Sequence, residues 1–235
     1  MKKYLLAAFI LLSCLSSYPL QACTSCNKEL NTGIYNDFFY ENLFIILSPF
    51  FVIAAIVIVL SILSTKQYNK LSASNLNINP IPLTTAAAVL GIGMGGFIDG
   101  IVFHQILQWH EMLSNKISTT DYIGKSINMY WDGIFHAFCL VVVFTGVILL
   151  WKLISIENIN RSGKLLAGGL LAGWGLFNTV EGLLNHHLLK LHNVQEASFH
   201  HETANLIFLG FSVVLLIVGY ACFRTGHKNY SVNND

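Results

Sequence analysis

The chain has 235 residues, of which 54% are hydrophobic and only 11% charged, with a formal net charge of +1 and a mean hydropathy of +0.59. Soluble domains carry about 25% charged residues, so the composition is that of a membrane protein with the lipid bilayer as its first partner. It gives no hint of a nucleic-acid partner, because the net charge is near zero and no basic stripe is visible.

The opening MKKYLLAAFILLSCLSSYPLQAC places two lysines before an apolar run and then small and polar residues. This predicts a signal peptide over residues 1–22, cleaved after Ala22, with an uncleaved first helix as the alternative. Leu20-Gln21-Ala22-Cys23 also fits a lipoprotein box, apart from its glutamine. Cys23 and Cys26 form CTSC at the start of the mature chain, a thiol pair suited to a disulfide loop, redox work or soft metals. No histidine follows Cys26, so c-type haem attachment is not indicated. Cys139 and Cys222 lie in apolar runs, where a free thiol packs as a small hydrophobe.

Five apolar segments follow, at about 42–63, 81–111, 130–151, 165–191 and 204–223, each reaching the roughly 20 residues a helix needs to cross hydrocarbon. Residues 23–64 make an exported CxxC segment and the first span. Residues 65–82 read as a cytoplasmic linker closed by Pro80 and Pro82, residues 83–224 as a His- and acid-rich membrane domain, and 225–235 as a cytoplasmic tail. Seven basic residues then fall inside (Lys66, Lys70, Lys152, Arg161, Lys164, Arg224, Lys228) and four outside (Lys28, Lys116, Lys125, Lys190). That asymmetry predicts a mature N-terminus and histidine cluster on the outer, periplasmic side of a bacterial inner membrane, with a cytoplasmic C-terminus.

A shift of 82 residues superposes Gly91-Ile92-Gly93 on Gly173-Trp174-Gly175 and Ile98-Asp99-Gly100 on Val180-Glu181-Gly182. It also aligns His104 with His186 and His110 with His192. An acid and two histidines in register are more than the chance matching of apolar helices. The expected fold is therefore all-α and polytopic: a four-helix transmembrane bundle of two parallel repeated hairpins, plus one extra N-terminal transmembrane helix. The second helices match poorly: Asp132 and Glu202 hold similar places, but no fixed offset aligns their neighbours.

At 100° per residue, Asp99 and His110 share one stripe, as do Glu181 and His192, with Asn178 and Asn185 beside Glu181. Gly100 and His104 share a second stripe, as do Gly182 and His186. Carboxylates in hydrocarbon are costly and mark functional sites. Imidazole with carboxylate on facing helices suits a transition metal, copper or zinc foremost, rather than calcium or magnesium.

His104, His136 and His186 are the leading ligands, with Asp132 and His187 next. His110, His192, Asn178 and Asn185 are secondary, and Asp99 and Glu181 are candidate proton carriers. A structural histidine making a helix–helix hydrogen bond is the competing reading at each position.

The strings GMGGFIDGIVFHQILQWHEMLS, WDGIFHAF and GWGLFNTVEGLLNHHLLKLHNV resemble the bacterial predicted-membrane-protein family called domain of unknown function 2243, over roughly residues 84–223. The resemblance implies a four-helix membrane module and supports singling out Asp99, His104, His110, Asp132, His136, Glu181, His186, His187 and His192. It implies no activity. The functions that follow are copper handling beside a respiratory oxidase or copper carrier, a zinc-dependent hydrolase of a lipid, a b-type haem protein, and a proton-coupled transporter needing a homo-oligomer.

Overall fold

The fold is taken from a computed structural model that describes residues 28–35, 37–73, 79–156 and 159–232. The signal segment and the Cys23–Cys26 pair lie outside them. Helix α1 (Lys28–Ile34) is short, and α2 (Asp37–Ala73) follows. Helix α3 (Ile81–Ile98) continues into a π-helical segment, Asp99–Ile106. Helix α4 (Tyr122–Ile154) returns, α5 (Gly163–Glu181) runs into a second π segment, Gly182–Leu188, and α6 (His201–Val232) closes the bundle. The protein is an all-α polytopic membrane protein. Four stretches are long and apolar enough to cross a bilayer: Asn42–Gln67, Ile81–Ile106, Tyr122–Ile154 and His201–His227. Helix α5 with its π segment has the same length but a lower hydropathy, because Asn178, Glu181, Asn185, His186 and His187 fall within it.

Local chemistry explains the boundaries. Pro80 and Pro82 open α3, where the missing N–H groups cost nothing. Asp121 caps α4 by accepting from the Gly124 N–H at 2.8 Å, and that bond holds its carboxyl below the ordinary aspartate range. Helix α2 runs on to Ala73, two turns into the polar stretch read as a linker. Residues 64–73 contain neither glycine nor proline to stop it.

Helices α3 and α5 lie against each other at the centre, flanked by α4 and α6 respectively. A Cβ on Gly91 would stand 2.2 Å from the Leu170 carbonyl, and one on Gly173 would stand 2.1 Å from the Ala88 carbonyl. Only glycine admits backbones this close. Gly91 faces Leu170 and Gly95 faces Trp174, so the two helices advance together and run parallel. Gly91 corresponds to Gly173, and Ala88 to Leu170, under the same 82-residue shift. The two contacts therefore exchange, as they would about a two-fold axis between the helices.

The outer helices follow a different register. Gly146 on α4 meets Leu90 of α3, and Gly219 on α6 meets Ala172 of α5. Leu90 and Ala172 are 82 apart, but Gly146 and Gly219 are 73 apart. At that spacing Ile134-Phe135 falls on Ile207-Phe208 and Phe138 on Phe211. A fixed offset thus relates α4 to α6, which pairing Asp132 with Glu202 had concealed.

Candidate metal centre

The π segments set the site. Leu107 N–H donates to Val102 O at 2.8 Å and Leu189 N–H to Leu184 O at 2.7 Å, both spanning five residues. The next bonds widen further, from Trp109 N–H to Phe103 O and from Leu191 N–H to Asn185 O. A π turn is wider than an α turn, so residue i+5 comes round closer to residue i. Asp99 thereby aligns with His104, and Glu181 with His186, pairs that an α-helix would set about 140° apart.

Each helix then ends in a left-handed residue, Gln108 (φ 49°) and Lys190 (φ 50°), and the chain doubles back. That reversal brings in His110 and His192. They arrive from loops, so the helical stripe joining Asp99 to His110 is not what unites them.

Six side chains meet, each between 0 and 3% exposed: Asp99, His104, His110, Glu181, His186 and His192. His104 Nε2 is 3.1 Å from Asp99 Oδ2, and His110 Nε2 is 3.8 Å from Asp99 Oδ1. His186 Nε2 and His192 Nε2 lie 3.6 Å and 3.9 Å from Glu181 Oε1. The rings of His110 and His192 stack 4.6 Å apart, and His186 sits edge-on to His192 at 4.9 Å.

The donors sort into two sets, Asp99/His104/His110/Glu181 and His110/Glu181/His186/His192, each with one ligand atom per residue and all within 4.8 Å. Two donors bound to one ion at about 2.1 Å and a tetrahedral angle stand about 3.4 Å apart, close to most of these separations. Both Asp99 oxygens, Glu181 Oε2, the Nε2 atoms of His104, His110, His186 and His192, and the Nδ1 atoms of His186 and His192 have no hydrogen-bond partner. So many orphaned buried polar atoms at one point are an expensive arrangement for a merely structural cluster.

The surrounding residues orient the rings. His104 Nδ1 lies 2.8 Å from Asp132 Oδ1 and His110 Nδ1 lies 2.8 Å from Val194 O. Both acceptors take a proton, so each Nδ1 carries a hydrogen, and in the neutral ring each Nε2 turns a lone pair inward. Asp132 Oδ1 also accepts from Met112 N–H at 3.0 Å. On the other side Asn205, not Glu202, does the corresponding work, accepting from Val194 N–H at 2.9 Å.

The two loops are tied to each other over the cluster. Asn115 N–H donates to Leu191 O, Glu196 N–H to Trp109 O, and Ser114 Oγ to Glu196 Oε1 at 2.9 Å.

Of the remaining residues singled out from the sequence, His136 turns Nδ1 to its own helix at Asp132 O, 2.7 Å away, and stacks near Phe97. His187 turns Nδ1 to Gly182 O at 2.8 Å. Neither belongs to either four-residue set, although the Nε2 of each is unpartnered. Asn178 and Asn185 are buried on α5 and its π segment. His201 faces Gln195 O. Glu111, in the loop between the first π segment and α4, pairs with Lys125. Cys139 and Cys222 are free thiols outside both sets.

Beside the cluster, Asp99, His104, Glu181 and Asn185 form one wall of a narrow cleft whose other wall includes Phe50, Phe135 and Phe138. Its free interior is about 10 Å³, room for about one water-sized molecule.

With the site in view, the comparison with known proteins is informative at one level. Residues 86–226 match the family described as predicted membrane protein (DUF2243). The chain belongs to that family. The matched span contains all six clustered side chains and stops short of α2. No curated protein and no solved structure matches the chain.

Proposed function

We propose that the cluster is a resident transition-metal centre, built from a duplicated hairpin and held in the bilayer for catalysis on a lipophilic molecule. One observation carries the metal reading. His104 and His110 have their Nδ1 protons committed to outer acceptors while each Nε2 faces the buried Asp99 carboxylate without a hydrogen bond to it. Metal-binding histidines are held in this way, with an outer acceptor fixing the tautomer and ring direction.

Asp99, His104 and His110 would hold one ion, and Glu181, His186 and His192 a second. The Glu181 carboxylate belongs to both sets and can bridge. His110 also belongs to both, yet its one inward nitrogen serves a single ion. Four imidazoles and two carboxylates suit zinc, iron or copper(II); they offer copper(I) no soft sulfur. A bound ion would supply Lewis acidity or an activated water. His136, His187 and Asp132 then act around the centre rather than on the ion.

Two features favour a resident centre over a delivery site for copper. The donors are almost wholly buried, and the two loops are bonded together above them. Cargo needs an open exchange route. The haem reading has less support, because Gly100 and Gly182 already face His136 and Leu209, filling the place a macrocycle would take. The orientation that puts the loops on the outer face of a bacterial inner membrane rests on the basic residues.

The test is elemental analysis of detergent-purified protein after growth with iron, zinc, copper, cobalt and manganese. About two ions per chain, lost in His110→Ala and Glu181→Ala but kept in His200→Ala, is the expected result. Metal-free protein under every supplement overturns the reading.

A further inference from the structure

A second cavity lies between α2 and α4. It is an open groove of about 570 Å³, within the range of ligand sites, with Ala54, Val57 and Ser61 of α2 on one side and Phe138, Val142 and Thr145 of α4 on the other. Along α2 it extends from Ala54 to Lys66, about 18 Å at the helical rise.

Its walls are apolar except at one end. There the exposed Lys66 has no ion-pair partner among the described residues, and the buried Ser61 Oγ has no hydrogen-bond partner. The other end meets the cleft beside the metal cluster. Phe138 lines both spaces, and Phe50 and Ile53 of the cleft lie next along α2 from Ala54 of the groove. Phe138 and Phe50 meet edge-on, 5.2 Å between ring centres.

We infer that this groove binds the acyl chain of an anionic amphiphile, with its headgroup at Lys66 and its chain end at Phe138, facing Asp99 and Glu181. Charge decides the headgroup, since Lys66, the one cation among the groove's described lining residues, sits where the apolar trough ends near the close of the Asn42–Gln67 span. Shape decides the tail, because the trough is long, open to the bilayer and closed to water-soluble ligands along its length. Phe138 and Phe50 form the partition between trough and cleft, so the chain reaches the cluster when Phe138 changes rotamer. The lipid-binding part stands on the groove alone. Delivery to the centre rests on the metal reading above.

The experiment uses the full chain reconstituted in an equal mixture of dioleoyl phosphatidylglycerol and dioleoyl phosphatidylcholine, then extracted gently for native mass spectrometry. The wild type is expected to retain about one phosphatidylglycerol per chain. Ala54→Trp, which fills the trough, should lose it. Lys66→Glu should abolish the preference for the anionic lipid, whereas Lys152→Glu, off the groove, should not. Each variant is accepted as folded on its helicity and on eluting from size exclusion as the wild type does.

Retention unchanged by both Ala54→Trp and Lys66→Glu overturns the proposal, as does capture of a neutral isoprenoid indifferent to Lys66. Delivery is read separately with a fatty acid nitroxide-labelled near its methyl end. Loading the protein with copper(II) rather than zinc should broaden that label's signal, and Phe138→Ala should increase the broadening. Equal signals sever the groove from the centre. Protein that holds lipid but no metal removes the metal reading and leaves the groove.

Discussion

Replacing Asp132 tests how the site is held together. Its Oδ1 accepts from His104 Nδ1 at 2.8 Å and from Met112 N–H at 3.0 Å, so one oxygen both orients an imidazole of the cluster and pins a loop. Asp132→Asn keeps a carbonyl oxygen able to accept both bonds, and Asn205 already holds the other loop with an amide. The loop should therefore stay in place. What is lost is the charge behind the imidazole: outer partners of this kind are worth about 10- to 100-fold in metal affinity, or roughly 1.4 to 2.7 kcal/mol.

Asp132→Leu removes both acceptors and strands the buried Met112 N–H. An unsatisfied donor costs about 1 to 3 kcal/mol of folding free energy in addition. Chelator competition on purified protein reads the affinity, and thermal unfolding of the apo form reads the stability. Asn should lower affinity with little change in apo stability, while Leu should lower both. Equal metal affinity in wild type and Asp132→Asn would refute the orienting role. An Asn variant that unfolds like Leu would refute the separation of the two bonds.

Further outcomes follow from other parts of the fold. Gly173→Ala forces a Cβ to within 2.1 Å of the Ala88 carbonyl and should destabilise the bundle by about 1 to 3 kcal/mol. Gly133→Ala meets nothing within 4 Å and should be neutral or stabilising by roughly 0.5 to 1 kcal/mol; thermal melts in one detergent compare the two.

Gln108→Gly relieves a non-glycine residue at φ 49° and should raise the melting temperature, the left-handed conformation costing roughly 1 to 2 kcal/mol. A fall in melting temperature would show that the Gln108 side chain matters more than its backbone. For Asp121, the depressed carboxyl places its capping contribution at pH above the ordinary aspartate range, and it is lost as pH falls through the depressed value. The melting difference between wild type and Asp121→Ala should therefore close below about pH 4.

Much of the centre was legible in the residues themselves. The shift that matched Asp99 to Glu181, His104 to His186 and His110 to His192 named all six clustered side chains before any geometry was known. Their roles were less legible, for two physical reasons. Assigning faces at 100° per residue assumes an α-helix, and both segments change to π hydrogen bonding at the acid itself. That change places Asp99 and Glu181 beside His104 and His186, where straight α-helical faces would have set them apart.

Depth along the helix also promoted His136, which the structure turns back onto its own backbone. The α4–α6 correspondence was visible in the repeated Ile-Phe and the later glycine, but only at a shift of 73. A loop of different length in each half supplies the discrepancy. Nothing in the residue pattern announced the groove, which exists because α2 packs chiefly on α3 and only loosely against α4.

The bonds between the two loops have a consequence for how the protein is made. Asn115 meets Leu191 and Trp109 meets Glu196 only after both halves of the chain are in the bilayer. Val194 O, which fixes the tautomer of His110, arrives 84 residues after the ring it serves. During synthesis the first half therefore presents three donors without their complement. On the metal reading proposed above, an ion would reach these three donors most easily before the second loop settles over them.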